Sequence, residues 1–164
     1  MKTITVNLYS FNELSKEAKE KALQNLIDIN VDYNWWESTY EDAANIGLKI
    51  TSFGLDRDRH AKGEFSIYPT EAANKILSEH GENCETYKTA KNYLEEIKVI
   101  DETTEDEGQE ELTDIQEEFL KSLLEDYSII LQKEYEYLTS EKAIIETIEA
   151  NDYTFEADGT MNNG

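Results

Sequence analysis

The chain has 164 residues, and its 37 Asp and Glu against 15 Lys and Arg give a formal net charge of −22. This length suffices for one domain with a real core, and ten Tyr, five Phe and two Trp supply the apolar bulk that disordered acidic segments lack. The negative charge argues against direct binding to nucleic acid or anionic lipid, which are polyanions, and the single cysteine, Cys84, excludes an intramolecular disulfide.

The N-terminal part of the chain predicts one strand and two helices. Residues 3–9 alternate in polarity and include β-branched side chains, which is typical of a half-buried strand. Ser15 is the predicted N-cap of a helix over 15–30, where apolar residues recur at helical spacing. A second helix is predicted over 34–45, and Gly47 ends it.

The next part predicts a β-hairpin and a helix. Segments 48–53 and 64–68 both alternate in polarity, and the polar residues 56–63 between them have a length suited to a hairpin loop. Thr70 is the predicted cap of a helix over 71–80.

The remaining chain is predicted to be mostly helical. A helix over 84–99 leads into an acidic, exposed loop at about 101–112. A long amphipathic helix then starts at Thr113, because apolar residues recur every three or four positions. A last helix is predicted over 141–150, followed by a strand over 151–156.

This order of elements groups the strands without regular alternation with helices, which favours an α+β fold. We expect a single domain over 1–164, in which a small antiparallel sheet packs against several helices. The long acidic helix lies in the C-terminal half, with Leu123 and Tyr127 in the core. No segment resembles a signal peptide or approaches the ~20 apolar residues of a membrane span, so we expect a soluble, intracellular protein.

The acidic residues are concentrated in the C-terminal part. Residues 100–164 carry 20 Asp and Glu against 3 Lys and Arg. Carboxylates three or four positions apart on a helix lie about 6 Å apart, a spacing similar to that of neighbouring phosphates on one nucleic-acid strand. This face could imitate a phosphate backbone for a basic nucleic-acid-binding protein, or it could be only a solvated surface. The candidate partner-binding residues are Asp114, Glu117, Glu118, Glu125 and Glu136 on the helix, and Glu105, Asp106 and Glu107 in the loop.

A second candidate site lies in the hairpin loop. Arg57 and Arg59, beside His60, could hold a phosphate because guanidinium binds such groups through two hydrogen bonds. Trp36 could stack on a nucleotide base. The ordinary alternatives are a loop paired with its own acidic neighbours and a tryptophan that packs in the core.

Catalytic motifs are missing from the sequence. Neither His60 nor His80 has companions at metal-ligand spacing, and there is no phosphate-binding Gly-rich loop or dinucleotide fingerprint. We therefore expect a protein that is not an enzyme and that uses no metal or cofactor.

Four segments carry a family resemblance. They are 50–65 (ITSFGLDRDRHAKGEF), 138–159 (LTSEKAIIETIEANDYTFEADG), 14–22 (LSKEAKEKA) and 30–37 (NVDYNWWE). Together they resemble small acidic proteins encoded by bacterial phages and prophages, whose functions are mostly unknown. The resemblance implies a host cytoplasm during infection, where small acidic proteins often inhibit defence nucleases, as anti-CRISPR proteins that imitate DNA do.

Charge and resemblance together give the leading hypothesis. The protein is expected to be a phage-encoded inhibitor of a host defence nuclease, acting by protein–protein binding and acidic nucleic-acid mimicry. The alternatives are a sponge for a nucleotide signal and a toxin-neutralising or scaffold protein.

Overall fold

The computed structural model describes residues 3, 5–100 and 105–162, with the backbone alone for 105–107. This part contains helices and two small antiparallel sheets, so the predicted α+β class is confirmed. The helices are α1 (Lys16–Asn25), α2 (Glu37–Asn45), α3 (Pro69–Glu79), α4 (Glu85–Ile100), α5 (Glu105–Leu138) and α6 (Glu141–Ala150). The strands are β1 (Tyr9–Ser10), β2 (Leu48–Gly54), β3 (His60–Phe65) and β4 (Thr154–Phe155).

The chain divides into two compact units. The terminal unit comprises Met1–Trp35 and Glu134–Gly164, and the central unit comprises Trp36–Lys133, so the division falls within α5. Each unit has its own cluster of buried apolar residues. The single domain over 1–164 stays a prediction. Among the described residues, no helix combines the length and the apolar character that crossing a bilayer requires.

Two serine caps organise the terminal unit. The Ser15 hydroxyl accepts a hydrogen bond from the amide of Ala18 at 3.2 Å, and the Ser140 hydroxyl accepts one from the amide of Ala143 at 3.3 Å. Each cap satisfies an amide that a helix start leaves without a partner, so α1 and α6 begin where the sequence predicted. The core of this unit contains Phe11, Leu14, Ala18, Ala22, Ile144, Ile148 and Phe155.

The predicted N-terminal strand is wrong over most of its length. Only Tyr9 and Ser10 form β1, which pairs antiparallel with Phe155 and Thr154 of β4. A strand needs a partner of matching length, and β4 offers two residues, so the described residues of 3–8 form no strand. The helix predicted over 15–30 is also shorter and ends at Asn25.

The hairpin of the central unit is shifted from its predicted position. Strand β2 pairs with β3 from Leu48↔Phe65 to Gly54↔His60, with a bulge between Ile50 and Ser52. The predicted second strand over 64–68 is therefore confirmed only for Glu64 and Phe65, because the ladder runs from His60 to Phe65 and the connecting loop is shorter.

A helix start in the central unit also differs from the prediction. Helix α3 begins with Pro69 as its first residue, where the missing amide hydrogen costs nothing, and Tyr68 is its N-cap. Thr70 is therefore not the cap. Its hydroxyl lies 3.1 Å from the hydroxyl of Tyr93, a residue of α4.

The core of the central unit confirms the predicted stripe of α5. Leu123 and Tyr127 are both fully buried, and Phe119 stacks on Tyr93 with ring centroids 4.2 Å apart. The other members of this cluster are Ala43, Ile46, Leu48, Ile50, Ala73, Ile76 and Ala90.

Helix α5 starts earlier than predicted. The loop expected at about 101–112 is wrong from Glu105 onwards, where the backbone is helical, and 101–104 lie outside the described residues. Acidic residues favour the first turns of a helix because they complement the positive end of its dipole, so a run of Asp and Glu need not indicate a loop.

Candidate functional site

Three exposed carboxylates form what we call the acidic face of α5. Asp114 lies three positions before Glu117 and four before Glu118, and all three residues are exposed. Among the described residues, no basic nitrogen lies within ion-pair distance of these carboxylates. No described cation therefore pairs directly with them, although Lys121 lies one turn from Glu117.

The acidic face is held by the core beneath it. Phe119 and Leu123, which lie on the other side of the same helical turns, are buried in the central unit. This packing fixes the rotation of α5 and directs the three carboxylates into solvent. Their charges can therefore be changed without altering a buried contact.

Glu125 differs from these residues because it is already paired. The guanidinium of Arg59 donates from Nη2 to Glu125 Oε1 at 2.6 Å, from Nη1 to Gln132 Oε1 at 2.9 Å and from Nε to Ser128 Oγ at 3.3 Å. Arg59 thus joins the hairpin to α5, and not to acidic neighbours within its own loop. The structure brings together one residue predicted to bind a protein and one predicted to bind a nucleotide, and both roles stay predictions.

The other residues of the predicted nucleotide site have separate surroundings. Arg57 is exposed, and the His60 Nδ1 atom lies 2.8 Å from the carbonyl oxygen of Asp58. The ring of Trp36 is half-buried and meets Phe53 edge-on, with centroids 5.8 Å apart. Of these residues, only His60 lines the groove of about 350 Å³ beside Leu120, Leu124 and the acidic residues of α5.

The acidic face as defined does not include the remaining predicted partner-binding residues. Glu136 is exposed but belongs to the terminal unit. The side chains of Glu105, Asp106 and Glu107 lie outside the described residues.

A polar network that the sequence did not reveal crosses the central unit. The hydroxyl of Tyr127 donates to Asp42 Oδ2 at 3.0 Å, and the same oxygen lies 3.4 Å from His80 Nε2. The other ring nitrogen of His80 lies 2.6 Å from the hydroxyl of Thr86. Burial, followed by the nearby Asp42 carboxylate, raises the pKa of Tyr127 above its usual range, so this phenol stays a donor. The network ties α2, the end of α3, α4 and α5 together.

A carboxylate of α5, that of Asp126, lies beside this network. Asp126 is half-buried, and its Oδ2 accepts a hydrogen bond from the hydroxyl of Thr89 at 2.5 Å. Burial raises the pKa of Asp126, and the carboxylates of Glu85 and Glu125 act in the same direction. The hydrogen bond from Thr89 opposes this shift only in part.

The network borders a cavity of about 510 Å³, which we call the α3–α5 hollow. Its charged and titratable lining residues are Asp42, Glu79, His80, Cys84, Glu85, Asp126 and Lys133. Ile129 and Ile130 form its apolar part. Within the described part of the chain, no three His, Cys, Asp or Glu residues are arranged to hold a metal ion.

The sequence contained little signal for this hollow. Its lining residues come from four helices and the α3–α4 junction. In the adjoining network, Asp42 and Tyr127 are 85 positions apart. His80 and Thr86 are near each other in the chain, but a junction containing Gly81 separates them, so no helical period links them.

Comparisons of this chain with protein-family models, with curated proteins and with solved structures give no match. The resemblance to acidic phage proteins therefore stays a prediction. What the protein does has to be argued from its charges and cavities.

Proposed function

We propose that this protein is a non-enzymatic, phage-encoded inhibitor that acts in a host cytoplasm. Its acidic face binds a basic nucleic-acid-binding protein of a host defence system, in the place of a nucleic-acid backbone. The observation that carries this proposal is the exposure of Asp114, Glu117 and Glu118 without an ion-pair partner among the described residues.

The helix gives these carboxylates a regular spacing. Side chains three or four positions apart on a helix surface lie about 6 Å apart. The pairs Asp114–Glu117 and Asp114–Glu118 therefore each present two carboxylates at about the spacing of successive phosphates. The core contacts of Phe119 and Leu123 hold the helix in place. The charges are therefore preorganised, which reduces the entropy that binding loses.

The charge of the surrounding chain adds attraction at longer range. The region 100–164 has 17 more acidic than basic residues, and such an excess steers a basic partner towards the protein before contact. Screening acts beyond about 8 Å at physiological ionic strength, so added salt should slow association more than it speeds dissociation.

The nucleotide-sponge alternative has less support. The three donating nitrogens of Arg59 already bind Glu125, Gln132 and Ser128, so a phosphate would have to displace contacts within the central unit. The toxin-neutralising and scaffold alternatives would also use an acidic surface. The identity of the captured partner separates them from the proposed inhibitor.

The test is competition between this protein and labelled DNA for a basic nuclease captured from the host. Replacing Asp114, Glu117 and Glu118 with Lys should abolish competition while the circular dichroism spectrum stays that of the parent. Weaker binding alone would not be specific, because any reversal of three charges lowers the long-range attraction.

A matched control makes the same charge change elsewhere. Glu20, Glu149 and Glu156 are exposed residues of the terminal unit, and their replacement with Lys changes the net charge equally. This control should retain most of the competition. If both triple variants compete as well as the parent, or if both lose competition equally, the acidic face is not the binding surface.

A further inference from the structure

The α3–α5 hollow has an excess of negative charge that its own residues do not neutralise. Asp42, Glu79, Glu85 and Asp126 line it, and Lys133 is its one Lys or Arg residue. Glu85 has a partner in Lys88, whose Nζ lies 3.3 Å away, but both of these side chains are largely exposed. The volume of about 510 Å³ lies within the range of small-ligand sites.

A buried nitrogen without a hydrogen-bond partner also lines this hollow. The His80 side chain is only 10% exposed, and its Nε2 atom makes no hydrogen bond with another described residue. Nε2 lies 3.4 Å from Asp42 Oδ2, which counts as an ion pair only when the imidazole is protonated. In the neutral tautomer whose Nδ1 donates to Thr86, Nε2 is an acceptor without a donor and faces Asp42 Oδ2, which accepts from Tyr127. In the other neutral tautomer Nε2 carries the proton and lies 3.4 Å from Asp42 Oδ2.

In the first tautomer Nε2 lacks a donor, and the Asp42 carboxylate has further acceptor capacity beside it. A group with several N–H bonds can donate to the imidazole nitrogen and to the carboxylate together, and its positive charge would also offset the cost of burying Asp126. Burial raises the pKa of Asp126, so its surroundings disfavour the charged form.

The rest of the lining indicates the kind of cation. No three His, Cys, Asp or Glu residues among those described are arranged for a metal ion, which argues for an organic cation. Ile129 and Ile130 offer apolar surface against which an alkyl chain can pack, and Ile130 is 40% exposed.

We propose that the α3–α5 hollow binds an alkylguanidinium or alkylammonium group, with its cationic head between Asp42, His80 and Asp126 and its alkyl chain on Ile129 and Ile130. This site does not depend on the proposed function, because it uses none of the residues of the acidic face. The same head group occurs on a basic side chain of a partner protein and on a free polyamine.

The two histidines make this site directly observable. His80 lines the hollow, whereas His60 lies on the hairpin and lines a different groove, so it serves as an internal reference. The full-length protein is titrated with butylguanidinium and with butylammonium at about pH 8, well above the pKa of free imidazole, and the ring signals are followed by NMR. Butanol and an equal concentration of sodium chloride are the control additions.

We expect the His80 ring signals to shift saturably with either cation, while the His60 signals move no more than they do with sodium chloride. Asp42→Asn and Asp126→Asn should each weaken binding by about tenfold or more, since each removes a charged acceptor. Asp114→Asn, an equal charge change on the acidic face, should leave the affinity unchanged. Lys133→Gln should strengthen binding because it removes a like charge from the lining.

Two further ligands identify the source of the cation. Tighter binding of an Arg-containing tripeptide than of spermidine indicates a side chain of a partner protein, and the reverse order indicates a free polyamine. The proposal is overturned if the His80 signals do not move, if they follow sodium chloride, or if Asp126→Asn and Asp114→Asn bind equally well. Those results would leave the acidic face and its competition assay untouched.

Discussion

Replacing Leu123 with Ala should destabilise the central unit strongly. Leu123 lies on α5 and is fully buried in the core of the central unit, one helical turn from Phe119 and one turn from Tyr127. Leu-to-Ala changes in cores cost about 2–5 kcal/mol, and the cost rises with the volume of the cavity that remains. Here the neighbouring Phe119 ring is held by stacking on Tyr93, with 10° between the planes, so the site can collapse little. We therefore expect a loss of about 3–5 kcal/mol in the free energy of unfolding.

The two tryptophans allow this loss to be assigned to one unit. Trp35 belongs to the terminal unit, where its ring lies 5.6 Å from that of Tyr135, and Trp36 belongs to the central unit. In a Trp35→Phe background, fluorescence during urea unfolding reports on Trp36 alone. The Leu123→Ala variant is compared with Leu8→Ala, which makes the same change at a side chain that is 45% exposed.

A loss of less than about 1 kcal/mol in the free energy of unfolding reported by Trp36 would refute the reasoning, since removing three carbon atoms from a filled core destabilises a protein by more than that. The complementary Trp36→Phe background reports on Trp35. If the Trp35 transition moves together with the Trp36 transition, the two units unfold as one cooperative domain, as the sequence predicts. If only the Trp36 transition moves, the units are separate domains.

Three further predictions concern backbone strain, an ion pair and a buried acid. Gly47→Ala should lower the free energy of unfolding by about 1–3 kcal/mol in thermal or urea unfolding. The reason is that the position has φ +88° and that a Cβ would lie 2.3 Å from a neighbouring side-chain carbon. The control is Gly81→Ala, where a Cβ would meet open space and the change should be nearly neutral. A double-mutant cycle of Arg59→Ala and Glu125→Ala should give a coupling of about 0.2–1 kcal/mol, since the ion pair is partly exposed, and a value near zero at low salt would contradict the contact. Burial raises the pKa of Asp126 in the folded state. The protonated carboxyl therefore contributes stability below about pH 3.8, and this stability is lost as the pH rises through the raised folded-state pKa. Asp126→Asn should accordingly raise the free energy of unfolding relative to the parent more at pH 7 than at pH 3. An equal difference between variant and parent at both pH values would contradict the raised pKa of Asp126.

Local signals in the sequence predicted several elements correctly. The serine caps of α1 and α6 satisfy amides three positions along the chain, and the positive φ of Gly47 ends α2, so no distant residue is needed. The burial of Leu123 and Tyr127 also follows from helical periodicity, because one face of a helix must meet the core.

The strand errors have a different origin. An alternating pattern shows that a segment can form a strand, but the partner decides how much of it does. Strand β1 has two residues because β4 has two, and β3 begins at His60 because Gly54 extends the ladder to that point. Register is a property of two segments, and neither segment alone contains it.

By itself, the sequence determined the acidity of the protein, the amphipathic long helix and the α+β class. Only the tertiary structure decided which of the charged side chains are paired within the protein and which are exposed. It paired Glu125 with Arg59 across 66 positions, left Asp114 and its neighbours exposed, and placed Asp42 beside His80 and Tyr127. The physical reason is range: caps and helical stripes depend on residues within one or two turns, whereas ion pairs and cavities form where distant segments meet.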